Sequence, residues 1–388
     1  MDHTHAFGLA LLICGVVVGL ALLYNRVAER AKVPAPAVFL LAAALASDLF
    51  PDLHHIQMST VQDIVSVALV IILFDGGLDI GWRRFRLSAA PIVLIGVVGT
   101  VATTAGVSLL AHFVFGMGWV ISLLLGAAVA PTDPAVVFSV LGNREVSGRT
   151  GTILKGESGT NDPVGIALML SLVAVTTAGS SGWQAIGDGT GRFVLQMGIG
   201  GLVGVVGAHG LLWTMRRWPL PSGALYPLRT LAGAVVIYGL ATVAHGSGFL
   251  AVFIAGILIG DERAPYKAEI ERFHSALASL GEIVAFSVLG LTISLSSLWH
   301  DGSVGIGLGV AALLTFVVRP LLVGPLLLPV RLANNERLFV LWAGLKGAVP
   351  ILLGTFAFTS GVDGARKVYD VIVVVVALSV IVHGGQGV

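Results

Sequence analysis

Lys155-Gly156-Glu157-Ser158-Gly159-Thr160-Asn161-Asp162-Pro163 lies inside a long apolar stretch. On a helix, Ser158 and Asp162 stand four apart and share a face, while Glu157 and Asn161 share the neighbouring one. The first face offers a carboxylate and a hydroxyl to a small hard cation, which takes oxygen ligands. The second can make fixed polar contacts with another helix. The preceding stretch contains Ala130-Pro131-Thr132-Asp133-Pro134, whose two prolines remove backbone donors and break a helix. Gly344-Leu345-Lys346-Gly347-Ala348-Val349-Pro350 is a second interruption of the same kind. Broken backbone at membrane depth is tolerated only where it lines a cavity or is buried in protein, and two such breaks in corresponding positions point to a transport site between inverted repeats. Asp133 suits the positive N-termini of half-helices at a crossing, and Lys346 suits the negative C-termini. Arg319, ahead of Pro320 in an apolar run, needs a partner, and Glu157 is the obvious one. Asp75, in Leu73-Phe74-Asp75-Gly76-Gly77, falls where a funnel from one membrane face would open.

These charges must be placed by helices that cross a bilayer. Of 388 residues, 56% are hydrophobic and 11% charged, and the mean hydropathy is +0.95. A soluble surface cannot be built from so few polar residues. A span needs roughly 20 apolar residues. About thirteen spans can be drawn, near 6–24, 35–50, 60–78, 89–115, 118–142, 150–177, 190–215, 227–245, 248–260, 272–293, 303–328, 336–360 and 367–384. Arginine and lysine test the count. The loops after odd-numbered spans carry Arg26, Arg30 and Lys32, then Arg83, Arg84 and Arg86, and later Arg144, Arg149, Arg216, Arg217, Arg229, Arg263, Lys267, Arg272, Arg331 and Arg337. The other loops carry only Arg192, Arg366 and Lys367. Positive charge stays cytoplasmic, which predicts a multi-pass protein of the cell inner (plasma) membrane with its N-terminus outside and its C-terminus inside. The start, MDHTHAFG, has no basic region before the first apolar run, so that run reads as a span and not as a signal peptide.

Depth follows from helical rise at about 1.5 Å per residue. Counted from the nearest basic loop residue, Asp133 lies about 16 Å in, Asp162 about 20 Å, Arg319 about 18 Å and Lys346 about 14 Å. The hydrocarbon core is about 30 Å thick, so four helices bring charge to its middle. Each such charge costs at least roughly 2.5–3.5 kcal/mol to insert. Asp162 reads as the working carboxylate. Asp133, Asn161 and the Glu157–Arg319 pair read as structural. Glu282 reads as a polar contact near a helix end, and Asp63, Asp79 and Lys155 as side chains that snorkel towards water. Repeated glycines such as Gly198-Ile199-Gly200-Gly201 read as close helix packing. The Gly/Ser/Thr-rich stretch from Thr176 to Gly191 reads as a hinge between halves. The near-neutral balance of +1 argues against nucleic acid as a partner. Cys14 stands alone, so there is no internal disulfide or cysteine metal site, and adjacent His54 and His55 do not form a zinc spacing.

At these residues the chain resembles the NhaP-type monovalent cation:proton antiporters. Thr132-Asp133-Pro134 matches their broken fifth helix, and Glu157-Ser158-x-x-Asn161-Asp162 their sixth-helix signature. Arg319 matches their buried arginine, and Phe74-Asp75-Gly76-Gly77 their third-helix acidic motif. Gly344 to Ile351 is similar to the subgroup described as potassium/proton antiporters. The resemblance implies an all-α, NhaA-like antiporter fold of inverted repeats with two crossing broken helices, in one transmembrane domain covering 1–388. It implies core helices near 89–177 and 303–384 that move against dimerisation helices near 6–78 and 190–293, in a homodimer embedded in lipid. It implies an ion and proton site of Asp162, Thr132, Ser158 and Asp75, with Asp133, Asn161, Glu157, Arg319 and Lys346 as its structural polar core. It implies no cofactor, only the transported potassium or sodium ion and protons. Members of that subgroup often carry a cytoplasmic regulatory domain after the last helix, and this chain stops at Gly384-Gly385-Gln386-Gly387-Val388, so a missing domain is expected.

The mechanism read from these residues is one carboxylate with two exclusive occupants. Burial disfavours the charged form of Asp162, and a proton or a cation neutralises it. The neutral site crosses by rigid-body movement, and the empty charged site does not. One mobile carboxylate beside the neutral Asn161 predicts one cation per proton. Three rivals belong to other classes. A cation channel would need a filter motif, and no TVGYG-like stretch is present. A sodium-coupled symporter for an organic anion would need a larger pocket. A membrane-embedded enzyme would use Asp162 and Asp133 as an acid pair, which the basic partners and hydroxyls disfavour. Sodium instead of potassium remains open, since oxygen ligands suit both.

Overall fold

The computed structural model describes residues 35–50, 56–133, 148–179, 182–262, 264–300 and 302–384, together with Gly8, Leu12, Gly15 and Gly19. Among these residues there are helices and no strands. The first expected span lies almost wholly outside the described residues. So do Cys14, Arg26, Arg30, Lys32, His54, His55, Pro134, Arg144, Arg263 and the tail from Gly385.

From the N-terminal side the helices are α1 (Ala35–Leu49), α2 (Met58–Val93), α3 (Thr100–Phe113), α4 (Trp119–Val129), α5 (Gly148–Thr177) and α6 (Gly182–Arg217). There follow α7 (Leu225–Val243), α8 (Gly248–Gly260), α9 (Lys267–Leu291), α10 (Leu295–His300) and α11 (Ser303–Leu313). The last are α12 (Gly324–Leu327), α13 (Asn334–Trp342), α14 (Ala348–Thr359) and α15 (Ala365–Gly384). Among the described residues, six continuous helical stretches are long and apolar enough to cross a bilayer: Met58–Phe113, Gly148–Thr177, Gly182–Arg217, Leu225–Val243, Lys267–Leu291 and Ser303–Leu327. The shorter apolar helices are α1, α4, α8 and α14, and α4 and α14 are short because the chain breaks beside them.

Three interruptions shape the bundle. At Gly81 the backbone turns to φ 67°, ψ 160°, separating two spans that otherwise run on as one helix. A Cβ there would lie 2.8 Å from the Asp261 carboxylate, and that carboxylate accepts the Arg83 backbone N–H, capping the helix that restarts. Over Leu94–Gly99, just after Pro91, and over Leu314–Val323, which contains Pro320, the coil widens to π geometry. Proline cannot donate to the ladder, and a wider turn re-routes the carbonyls it strands. The third interruption is the pair of breaks after α4 and between α13 and α14.

One expectation needs correcting. The Thr176–Gly191 stretch is not a long hinge: α6 begins at Gly182 and runs unbroken to Arg217. Glycine costs about 1 kcal/mol in a helix, yet an unpaired backbone group near lipid costs several, so the helix persists.

Helix α5 lies at the centre. It packs against α2, α4, α6, α8 and α14, and most of its length is buried. Helices α2, α8 and α9 form the opposing wall. Gly256 and Gly260 press α8 against α2, where added Cβ atoms would collide with the Phe74 and Leu78 carbonyls.

Candidate functional site

The two broken segments meet. The Asp133 backbone N–H donates to the Leu345 carbonyl at 2.8 Å. Lys346 sends its ammonium back to the Ala130 carbonyl at 3.1 Å and the Pro131 carbonyl at 2.9 Å, closing acceptors left open where α4 ends. Its own backbone N–H donates to Ser379 Oγ of α15 at 3.0 Å. The Asp133 carboxylate lies against Gly347, the residue that precedes α14, where no Cβ would fit. The carboxylate thus faces a helix N-terminus and the ammonium faces C-terminal carbonyls, each matched to the dipole it meets.

Beside the crossing sits a buried network. The Arg319 guanidinium donates to Glu157 Oε1 at 2.9 Å, and also to the carbonyls of Val340 at 3.1 Å and Leu341 at 2.9 Å. Arg319 and Glu157 are 5% and 2% exposed. Gly344 makes room for them, since a Cβ there would run into the guanidinium. Thr132 Oγ1 donates to Glu157 Oε1 at 3.3 Å and accepts from Asn161 Nδ2 at 2.7 Å. Thr132, Asn161, Glu157 and Arg319 therefore form one chain of contacts across α5, the break and the π segment.

Asp162 stands apart from that chain. It is 6% exposed, and its Oδ1 has no hydrogen-bond partner. An unsatisfied buried carboxylate oxygen is costly unless something else meets it. The residue lines a cavity of about 620 Å³. Asp75, Asp133, Ser158 and Glu282 share its walls, while Asp79, Arg84, Lys155, Asp261, Lys267 and Glu271 line the part nearer the basic end of the bundle. Thr132 is not on these walls. Its hydroxyl hydrogen is committed to Glu157, which leaves a lone pair but no donor.

Lys155 and Asp79 are both partly exposed to water, as expected, and they do more than snorkel. They pair across the cavity at 2.7 Å, linking α5 to α2. Glu282 is not a contact at a helix end. It sits half-buried on the cavity wall, in the same space as Asp162. Sequence spacing gave no reason to turn that face of α9 towards α5, because the wall exists only once α2, α5 and α9 are assembled. The buried Asp370 on α15 was not singled out from the sequence either.

As a set, these groups present oxygen atoms from α2, α5 and α9 around a space with one unmet carboxylate oxygen. Oxygen atoms of this kind are what small hard cations bind, and a carboxylate can also take a proton.

Comparison with known proteins agrees with the fold. The solved structure of the sodium proton antiporter MjNhaP1 from Methanocaldococcus jannaschii superposes with a TM-score of 0.80 at 22% identity, covering 100% of both chains. At that identity the likeness shows the fold alone. Among curated sequences, the K(+)/H(+) antiporter NhaP of Alkalimonas amylolytica is 35% identical over 385 residues, 98% of this chain and 66% of that protein. The K(+)/H(+) antiporter NhaP2 of Shewanella sp. (strain ANA-3) is 31% identical over 377 residues, 97% of this chain and 65% of its own. The chain thus spans just under two thirds of the length of these relatives. The model of the family described as "Sodium/hydrogen exchanger, transmembrane" matches residues 10–386. With that match running along almost its whole length, the chain belongs to the transmembrane sodium/hydrogen exchanger family.

Proposed function

We propose that this protein exchanges a monovalent cation, potassium first, for protons across the membrane. The observation that carries this is the buried, unpartnered Oδ1 of Asp162 at the wall of the central cavity. Asp162 binds either the cation or a proton. Ser158, one turn earlier on the same face, and Asp75 on the facing wall supply further oxygens. Thr132 contributes its remaining lone pair. Asp133, Asn161, Glu157, Arg319 and Lys346 hold the shape of the crossing. Potassium is put first because the Alkalimonas and Shewanella relatives, both above 30% identity, carry that ion in their names. Sodium is the second reading, since a 25% identical relative from Aphanothece halophytica is named a Na(+)/H(+) antiporter.

The core helices near 89–177 and 303–384 move as one body against those near 6–78 and 190–293, within a homodimer. Two observations support that division. The crossing ties 130–133 to 344–347 inside the proposed core, and the cavity runs between Asp133, α5 and α14 on one side and α2, α8 and α9 on the other. The paired interruptions, π geometry in two helices and breaks in the next two, support inverted repeats. By the positive-inside rule the cavity mouth, with Arg84 and Lys267, faces the cytoplasm.

The test is proton flux driven by potassium, sodium or lithium gradients in proteoliposomes of the purified chain. Wild type should exchange at least one of them, and Asp162→Asn, monodisperse after purification, should not. An active Asp162→Asn protein, or a wild type inert towards all three ions, defeats the proposal.

A further inference from the structure

Helix α9 has two faces of opposite kind. Ile270, Ile283 and Leu289 are buried away from the cavity. A second face lines the cavity, and on it Glu271, Ser275, Ser279 and Glu282 recur at intervals of four, four and three. That is the helical repeat, so the four oxygens form one stripe down the wall. It runs about 16 Å by helical rise. At the outer end Glu271 pairs with Lys267 at 3.6 Å, while Ser275 and Ser279 are exposed to the cavity. At the inner end Glu282 is half-buried, and no ion pair involves its carboxylate among the described residues. The same cavity receives Asp162, 6% exposed with Oδ1 unmet.

An acidic side chain so deep in an apolar bundle, on a surface shared with the exchange carboxylate, is costly if it does nothing. A bare carboxylate attracts cations, and walls of low dielectric focus that attraction. A cation entering the cavity must also shed water, and it does so most easily where oxygens replace the lost shell stepwise.

We propose that the α9 stripe is the entry wall for the cation and that Glu282 is a second cation-binding carboxylate, which holds the partly dehydrated monovalent ion opposite Asp162 before transfer. This rests on the alternating-access reading above. In it, α9 belongs to the half that stays and Asp162 to the half that moves. Glu282 therefore meets the ion only while the cavity is open at the basic end, and it has no part in binding from the other side. Its role is one of access, since the charge that Asp162 carries across is unchanged by it.

The experiment measures KM and maximal rate for potassium presented from each side in turn, in vesicles whose sidedness is fixed by protease cutting at the Arg216-Arg217-Trp218 loop. Sodium is the probe if potassium gives no flux. Glu282→Gln should raise KM on the basic-end side by on the order of tenfold, because one charge near the path is lost. KM on the opposite side, the maximal rate and the cation-to-proton ratio should stay within about twofold. Glu282→Asp, which keeps the charge, should restore most of the affinity. If Glu282→Gln fails to fold, Ser275→Ala with Ser279→Ala should show the same one-sided rise more weakly. Equal changes on both sides, or no change on the basic-end side, overturn the inference. Activity retained by Asp162→Asn would instead overturn the exchange reading beneath it.

Discussion

At the scale of single residues, the Glu157–Arg319 pair decides most. Both groups are nearly sealed from water, and the guanidinium also donates to two backbone carbonyls. Breaking a buried pair by removing one partner costs about 3–5 kcal/mol, because the other charge is stranded. Arg319→Ala should therefore lower the melting temperature of the purified protein sharply. Arg319→Met combined with Glu157→Gln should recover part of the loss. A melting-temperature cycle in which the two positions simply add would show that they act independently. This pairing was legible in the sequence, since an arginine in an apolar run must find an acid and Glu157 was the deep candidate. The role of Glu282 was not legible. Ser275, Ser279 and Glu282 read like any polar helix face, and only the placement of α2 and α5 makes that face a cavity wall.

At the scale of elements, the breaks were legible because proline and glycine announce them, and the expected spans from 35–50 onward each overlap a described helix, that of 118–142 only over Trp119–Val129 because residues 134–142 lie outside the described ones. The capping of the helix after Gly81 was not, because the cap comes from Asp261, 178 positions away from Arg83. Nor could the sequence say why Gly344 and Gly347 flank Lys346. The structure gives the reason, since the Arg319 and Asp133 side chains occupy the space that Cβ atoms would need. Gly344→Ala should cost about 1–3 kcal/mol through overpacking, because the guanidinium it displaces is already committed to three acceptors. Gly239→Ala, in α7 with open space around the position, should leave stability unchanged or slightly raised. The melting temperatures of the two variants, taken side by side, check this. Equal values would mean that the crossing has slack.

At the scale of the whole molecule, exchange at one carboxylate has two kinetic signatures. Protons remove binding places for the cation, so KM for the cation should rise as pH falls. The maximal rate should fall at high pH, where the return step lacks protons. One cation for one proton moves no net charge, so an imposed potential should not shift the equilibrium distribution of ions. Flux in proteoliposomes across pH, with sodium as the tested ion under a potassium–valinomycin potential, measures all three. A null point that follows voltage would rule out the one-for-one ratio, and a KM indifferent to pH would rule out the shared site. The crossing also bears on how such a molecule is made. Lys346 reaches carbonyls 216 and 215 positions back along the chain, and Arg319 reaches an acid 162 positions back. These are contacts of very long sequence separation, which form late because the loop between them must close first. While the chain is emerging, the first half holds Glu157 and the open end of α4 with neither partner yet synthesised. The crossing that frames the proposed ion site is therefore absent from every partial chain that ends before Lys346, and Glu157 stays without its arginine until the second half arrives.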